Sequence, residues 1–486
     1  EVFTRILFQE DTCLVTYVAT GVRRQNVSGL CPRTRTTLGR ETSFHYSDES
    51  CGQGYFERAG GIRKEPGEKM AEKKVRVGVF GIGRGRMFAR QAAAMEGVEL
   101  VAICDQREKP MREFAAQYPG VATYTEYERF LEHDMDAVVL ANYATEHAPA
   151  AIQAMRAGKH VQSENIAVKT MAEAVALVRA VEETGKIYMY AENCCYMNTV
   201  QEIRRLYAAG ELGEFRYGEG EYVHPVSPDE KIRLSPTWDH WRNWLPATYY
   251  CTHAMGPLMY ISRTRPVQVT GFEVPYDFED PTCTQTAKRS DTAGIIICRM
   301  DNGGYVKLLQ GNLKCHLNWY RIYGNRGSAE TLRHGDTASI RVRKEPWEKG
   351  EEEPVERIYR PEFPEFHDLA SRTGHGGGDF FVVHEFIRAI RTGEPPYLDV
   401  YTGLQMSCVG ILAHRSALNN NATYEVPRFR DPAELKRWEN DHLSPDPADP
   451  TEARIPASTL GEIEKPPEVR ASFERRAREL CPDWYE

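Results

Sequence analysis

Val75-Arg-Val-Gly-Val-Phe80-Gly81-Ile82-Gly83-Arg84-Gly85-Arg86 is the stretch that decides the fold. Its alternating valines read as a buried strand, and the glycines after it as a tight turn that opens a helix. Gly81 permits the turn, Gly83 lets backbone approach phosphates, and the free N–H groups of the helix start face an anion. Gly81, Ile82, Gly83, Arg84, Gly85 and Arg86 are therefore candidate dinucleotide contacts. The third glycine of the usual G-x-G-x-x-G spacing falls on Arg86. Either Gly85 eases helix–strand packing from one position earlier, or Arg86 lies over the pyrophosphate. Residues 99–104 read as the second strand, and Asp105 follows twenty-four residues after Gly81. A carboxylate there accepts from ribose hydroxyls and repels a 2′-phosphate, which predicts NAD rather than NADP.

Working outward, helical periods at 86–95, 111–117, 127–132, 148–157 and 171–184 interleave with strand-like runs at 137–141, 160–162 and 187–191. That succession predicts a doubly wound parallel sheet. Beyond about residue 191 the runs 214–223, 267–274, 294–300, 305–310, 320–323 and 339–342 alternate like half-buried strands. Asp301-Asn302-Gly303-Gly304 is the hairpin turn between two of them. The fold class expected is α/β: an N-terminal Rossmann sheet plus a C-terminal α+β domain with a large, open, mostly antiparallel sheet. Helices at 380–390 and 403–418 cover one face or return towards the first domain, 345–364 is a charged surface insertion, and a short helix lies at 468–480. The organisation expected is an extension over 1–69, disordered or an artefact upstream of a start at Met70. A dinucleotide domain over 70–190, a substrate and oligomerisation domain over 191–430, and a proline-rich arm over 431–486 follow it.

Composition narrows the partners. A net charge of −9 over 486 residues argues against nucleic acid or an anionic membrane as partner. No apolar run is long enough to span a bilayer. Twelve scattered cysteines and the absence of a signal-peptide pattern point to reduced thiols in the cytoplasm. His224, His253, Cys251 and the adjacent Cys194-Cys195 match no zinc spacing, so no metal is expected.

Val138-Val-Leu-Ala-Asn142-Tyr143-Ala-Thr-Glu-His147 and Ala157-Gly-Lys-His160-Val161-Gln-Ser163-Glu164-Asn165, taken with the glycine turn, resemble the Gfo/Idh/MocA oxidoreductase family. The family pattern is A-T-P-x-x-x-H, A-G-K-H-V and E-K-P. His147 and Glu164 match it, while Asn142-Tyr143 and Asn165-Ile166 depart from it. The resemblance implies that Asn142, His147, Glu164 and Asn165 line the cofactor. In the family's sugar dehydrogenases a lysine stands where Asn165 is, and its cation helps deprotonate the alcohol. Asparagine cannot do this, which makes a plain polyol dehydrogenase a poorer reading.

Three further strings are similar to the NAD-dependent α-N-acetylgalactosaminidase branch, glycoside hydrolase family 109. They are Glu192-Asn193-Cys194-Cys195-Tyr196, Tyr250-Cys251-Thr252-His253-Ala254-Met255-Gly256-Pro257 and Gly374-His375-Gly376-Gly377-Gly378-Asp379-Phe380. The resemblance implies oxidation at sugar C3 by tightly bound NAD, loss of the C2 proton, elimination of the aglycone, addition of water and re-reduction. His253 is the candidate for the C3 hydroxyl, because imidazole exchanges protons near neutrality. Tyr250 or Tyr196 is the candidate for the C2 proton, provided neighbouring charge lowers its pKa. Glu164, Asn193, His375 and Asp379 are candidate substrate contacts. Trp238, Trp241 and Trp244 form either a sugar-stacking wall or a packed helix edge.

The leading expectation is thus a glycosidase that uses NAD catalytically on a carbohydrate. Its competitors are an NAD-dependent sugar, glycoside or inositol dehydrogenase and a non-catalytic NAD-binding sensor. An open sheet face also predicts a homodimer or homotetramer built through the C-terminal sheet.

Overall fold

The computed structural model describes residues 74–485. The expectations for 1–69 lie outside the described residues. Six strands form the first sheet: β1 (Val75–Phe80), β2 (Val98–Cys104), β3 (Ala122–Tyr124), β4 (Ala137–Leu140), β5 (His160–Ser163) and β6 (Tyr188–Tyr190). All pairings are parallel, in the order β3-β2-β1-β4-β5-β6. The order reverses direction beside β1, which opens a crevice at the strands' carboxyl ends, where such sheets bind ligands. β4 is wholly buried and apolar and β1 largely so, because helices cover both faces.

The first helix spans Ile82–Ala94, so it begins four residues before the period at 86–95 suggests. Helical φ/ψ is open to glycine, and two glycines in the first turn hid its start from a reading by apolar spacing. The helix Met171–Thr184 runs as its period predicts, from a Thr170/Glu173 capping box to a left-handed Gly185.

The second sheet has nine strands: β7 (Phe215–Val223), β8 (Pro266–Val274), β9 (Ala293–Met300), β10 (Tyr305–Gly311), β11 (Leu317–Gly324), β12 (Ser328–Thr331), β13 (Ile340–Arg343), β14 (Glu356–Tyr359) and β15 (Tyr424–Glu425). Their order is β14-β13-β12-β11-β7-β10-β9-β8-β15, antiparallel except where β10 meets β7. The Asp301–Gly304 turn joins β9 to β10, with Gly303 at φ 83°. The segment 345–364 is not insertion alone, because β14 within it adds the sheet's edge strand.

The inner face of this sheet is covered by the helices Thr252–Ser262 and Val400–Leu418 at unusually close range. A Cβ on Gly220 of β7 would fall 2.1 Å from the Ala254 carbonyl oxygen. That close approach seats the N-terminal turn of the helix, and with it His253, against the sheet. The outer face carries the half-exposed Phe272, Ile297, Tyr305 and Tyr323 among ion pairs such as Lys307–Glu219. At the end of the chain, Phe473 and Ala477 of the helix Pro467–Leu480 pack on Ile232 and Ala287. Among the described residues no helix is long and apolar enough to cross a membrane.

Candidate functional site

The glycine turn fits a dinucleotide. Gly81 has φ 93°, and a Cβ there would meet the Ala141 carbonyl oxygen at 2.3 Å and the Asn142 nitrogen at 2.6 Å. At Gly83 the nearest atom to a Cβ is Arg107 Nη2, 3.7 Å away, so this backbone is open to approach. The first turn of the helix has no acid of its own, and apart from the Ile82 N–H, which the Asp105 carboxylate takes, its positive end is left to an anion. A Cβ on Gly85 would fall 2.7 Å from Val79 Cγ1. Gly85 therefore provides the close helix–strand packing. Arg86 instead turns its guanidinium to the Phe114 ring, 6.0 Å from its centre, and does not provide a lid over the turn.

Asp105 stands at the end of β2, as expected. It accepts from Ile82 N at 2.6 Å, Arg107 N at 2.8 Å and Arg107 Nε at 3.1 Å. Arg107 also lies over the Trp484 ring at 4.4 Å, and Trp484 stacks at 6.3 Å on Tyr143, after β4. The C-terminal arm thus reaches both loops that flank the crevice. Neither Arg107 nor Trp484 carries a motif, and only the fold brings them together.

Behind the turn, Asn142 lies against Gly81, while His147 braces the loop after β5. Its Nδ1 donates to the Ile166 carbonyl at 2.8 Å. Burial holds the His147 pKa below the usual imidazole value, so the ring is a neutral prop.

Five of the expected residues form one network. Arg84 Nε donates to Glu164 Oε1 at 2.9 Å, and its Nη2 donates to Asp379 Oδ1, also at 2.9 Å. Asn193 Nδ2 donates to the same Asp379 oxygen at 2.8 Å, and His375 Nδ1 meets Asp379 Oδ2 at 3.0 Å. Burial opposes ionisation of Asp379, but the His375 hydrogen bond and the Arg84 charge outweigh it. They hold the carboxyl well below its usual range. Asn193 Oδ1 is buried without a partner, so this network has a free acceptor.

Beside it stands a dyad that no single motif gave. His253 Nδ1 donates to Glu192 Oε1 at 2.8 Å, and Glu192 is fully buried. Burial would raise the Glu192 pKa, but the imidazole contact and the Cys194 N–H hold it below its usual value. The carboxylate fixes the tautomer, which leaves Nε2 as the working nitrogen. Asn165 Nδ2 donates to Glu192 Oε2 at 3.2 Å, so it supports the dyad's carboxylate. The signal for Glu192 was its place after β6, next to Asn193. Cys194 Sγ lies 3.6 Å from His253 Nδ1, and Glu192, Cys194 and His253 are mutually within 4.8 Å. The Glu192–His253 hydrogen bond accounts for that closeness.

Tyr222 and Tyr250 flank the imidazole, with ring centres 4.4 Å and 5.0 Å away. The expectation for Tyr196 is corrected here, and the lowered pKa set as a condition for Tyr250 is not met. Tyr196 packs on Tyr260 and Phe381, and burial lifts its pKa well above the phenol value. It packs as a core aromatic. Tyr250 is in the site, but its pKa is also raised, by burial, with the Arg242 guanidinium pulling the other way. The three tryptophans divide. Trp241 stacks on Tyr250, whereas Trp238 packs on Phe473.

Residues 75–192 match the family model "Oxidoreductase family, NAD-binding Rossmann fold", and residues 316–435 match "Glycosyl hydrolase 109, C-terminal domain". A glycosyl hydrolase family 109 protein of Saccharopolyspora erythraea is 28% identical over 436 residues, covering 80% of this chain and 91% of that protein. An alpha-N-acetylgalactosaminidase of Bacteroides fragilis is 27% identical over 408 residues, covering 76% of this chain and 94% of that protein. A levoglucosan dehydrogenase in complex with NADH superposes with a TM-score of 0.64 at 20% identity, covering 73% of this chain and all of that one.

Proposed function

We propose, for a chain that joins a Gfo/Idh/MocA NAD-binding domain to a glycosyl hydrolase 109 C-terminal domain, that this enzyme is a glycosidase holding NAD throughout turnover. Its route is oxidation at sugar C3, elimination of the aglycone from C1, addition of water, and return of C3 to the alcohol. The residues that would hold NAD are Gly81 to Gly85 at the pyrophosphate and Asp105 at the ribose, with Asn142 behind the turn. When bound, it supplies the reversible two-electron chemistry that such a route needs.

The observation that carries this reading is the Glu192–His253 dyad, which reaches the cofactor turn through Asn165, Glu164 and Arg84. His253 Nε2 takes the C3 hydroxyl proton, and buried Glu192 stabilises the imidazolium that results. Tyr250 handles the C2 proton. Burial disfavours its phenolate, and the Arg242 charge opposes this in part. Asn193 and the His375–Asp379 pair offer partners for sugar hydroxyls.

The same dyad suffices for a dehydrogenase acting on a sugar, glycoside or inositol. A panel of aryl α- and β-glycosides separates the two readings. Release of the aglycone without accumulating NADH supports the glycosidase. NADH formed in step with a keto-sugar, with the glycoside intact, supports the dehydrogenase.

Two wider assignments complete the reading. The half-exposed apolar residues of the second sheet's outer face fit a homodimer or homotetramer formed through that face. Light scattering of a micromolar solution tests this, and a monomer contradicts it. The free, mostly buried cysteines fit a reducing cytoplasm.

A further inference from the structure

Next to the dyad lies a cavity of about 260 Å³. Its inner wall is Tyr222 and Tyr250, the two rings that flank His253. Lys231, Lys288, Arg242 and His224 also line it, and its lining contains no aspartate or glutamate. Lys231 is 6% exposed and Lys288 5%.

Buried lysines without a counterion are rare, because burial removes hydration that a neutral acceptor does not replace. Here the partners are neutral. Lys231 Nζ donates to the Arg242 carbonyl at 2.6 Å. Lys288 Nζ donates to Ser290 Oγ at 3.0 Å and to the Asp291 carbonyl at 2.8 Å. Arg242 rests on aromatic faces, 4.2 Å from the Trp241 ring centre and 5.6 Å from that of Tyr250.

The acids nearby are committed elsewhere. The Asp291 carboxylate accepts from Ser458 and Thr459, Asp280 pairs with Lys314, and Glu273 pairs with His414. Glu230 closes the capping box on Ser227. Burial, and the mutual repulsion of Lys231 with Lys288 and Arg242, push the Lys231 pKa well below its usual value. Asp291, Glu273 and Asp280 act on Lys288 through space, but among the described residues no carboxylate lines the cavity, and Lys231 and Lys288 hydrogen-bond only to neutral groups.

We propose that this cavity is an oxyanion subsite, and that the natural substrate is a glycoside bearing a carboxylate, sulfate or phosphate beside the reacting ring. The substrate's anion would answer the charges of Lys231 and Lys288, with the Arg242 guanidinium left beside Tyr250. This deepens the glycosidase reading and rests on it for the word substrate, but anion binding itself does not depend on the chemistry. Charge-assisted contacts to a buried oxyanion are the strong kind, and guanidinium with ammonium is a usual pair for it.

The test has two arms. In the first, inorganic sulfate and phosphate are titrated against thermal unfolding of the full chain and of a Lys231→Met/Lys288→Met variant. Urea unfolding checks that the variant is folded, and the single Lys231→Met variant is the alternative. A saturable rise in Tm for the native protein, lost in the variant, is expected. An equal response in both, or none, overturns the subsite. In the second arm, aryl hexosides are compared with the matching uronides, 6-sulfates and 6-phosphates. A preference of about 100-fold in kcat/KM for one anionic series, the scale of a charged contact of about 2.7 kcal/mol, is expected and identifies the oxyanion. It should collapse in the variant. Preference for the neutral hexoside overturns the substrate class even if sulfate binds. Turnover of none of them, with sulfate still bound, faults the glycosidase reading and leaves the subsite standing.

Discussion

The two sides of His253 handle charge in opposite ways. On the cofactor side, Arg84, Glu164, Asp379 and His375 pair with one another, so each charge is answered within the chain. In the cavity walled by Tyr222 and Tyr250, Lys231, Lys288 and Arg242 hydrogen-bond or stack, among the described residues, only with carbonyls, hydroxyls and rings. A paired network is a scaffold, since its energy is spent on geometry before any ligand arrives. An unpaired one holds its electrostatic energy for a ligand. The dyad sits where the two meet.

The largest expected effect comes from breaking the dyad. Glu192→Gln keeps the shape but no longer fixes the tautomer or stabilises imidazolium. It and His253→Ala should each lower kcat by about 10³-fold, with NAD still bound. NAD content after gel filtration, measured beside kcat, separates this from misfolding. Next is Tyr250→Phe, which leaves the aromatic wall and removes one hydroxyl. It should cost about 10²-fold in kcat and little in KM.

Arg84→Met attacks the scaffold. It strands Glu164 and Asp379 beside one another and should destabilise the fold by about 2 kcal/mol, read as a lower urea midpoint. Lys231→Met on the other side should cost no stability, and equal losses at both positions would erase the contrast.

Acid titration sharpens the same point. The folded pKa of Asp379 lies below its unfolded value of about 3.9, so its contribution is complete above that pH and is lost as pH falls through the folded pKa. Asp379→Asn should be less stable than the native protein at neutral pH, and the gap should close below about pH 4. The smallest effect is expected at the arm. Trp484→Ala removes the stack on Arg107 and should raise the NAD release rate by a few-fold, about the worth of one aromatic–cation contact.

Much of this was legible in the sequence because it is local. The glycine turn, Asp105 at the end of β2 and the hairpin at Asp301–Gly304 each read from a few consecutive residues, and all three stand where expected. The short strands β3, β12 and β14 escaped because three or four residues show little period-2 alternation, whereas the equally short β4, β5, β6 and β13 lie in runs read as strands. The site was half legible. His253 and Tyr250 shared one motif and Glu192 stood in another, and nothing local in either one paired Glu192 with His253. Tyr196 shared a motif as well and turned out to face the core, since a motif gives spacing and not the side to which a ring turns. Lys231, Lys288 and Arg242 come from separate segments, and lysines in polar stretches read as surface until the fold buries them.

The central claim is a glycosidase that oxidises and restores its own substrate. The most direct measurement is NMR of sugar product formed in D2O by the purified enzyme from a cleaved aryl glycoside. Deuterium at C2, with protium retained at C3 and no net NADH, is the result expected, because the C2 proton exchanges with solvent while the C3 hydrogen returns. Cleavage with no deuterium at C2 would contradict it and leave ordinary acid–base hydrolysis in its place.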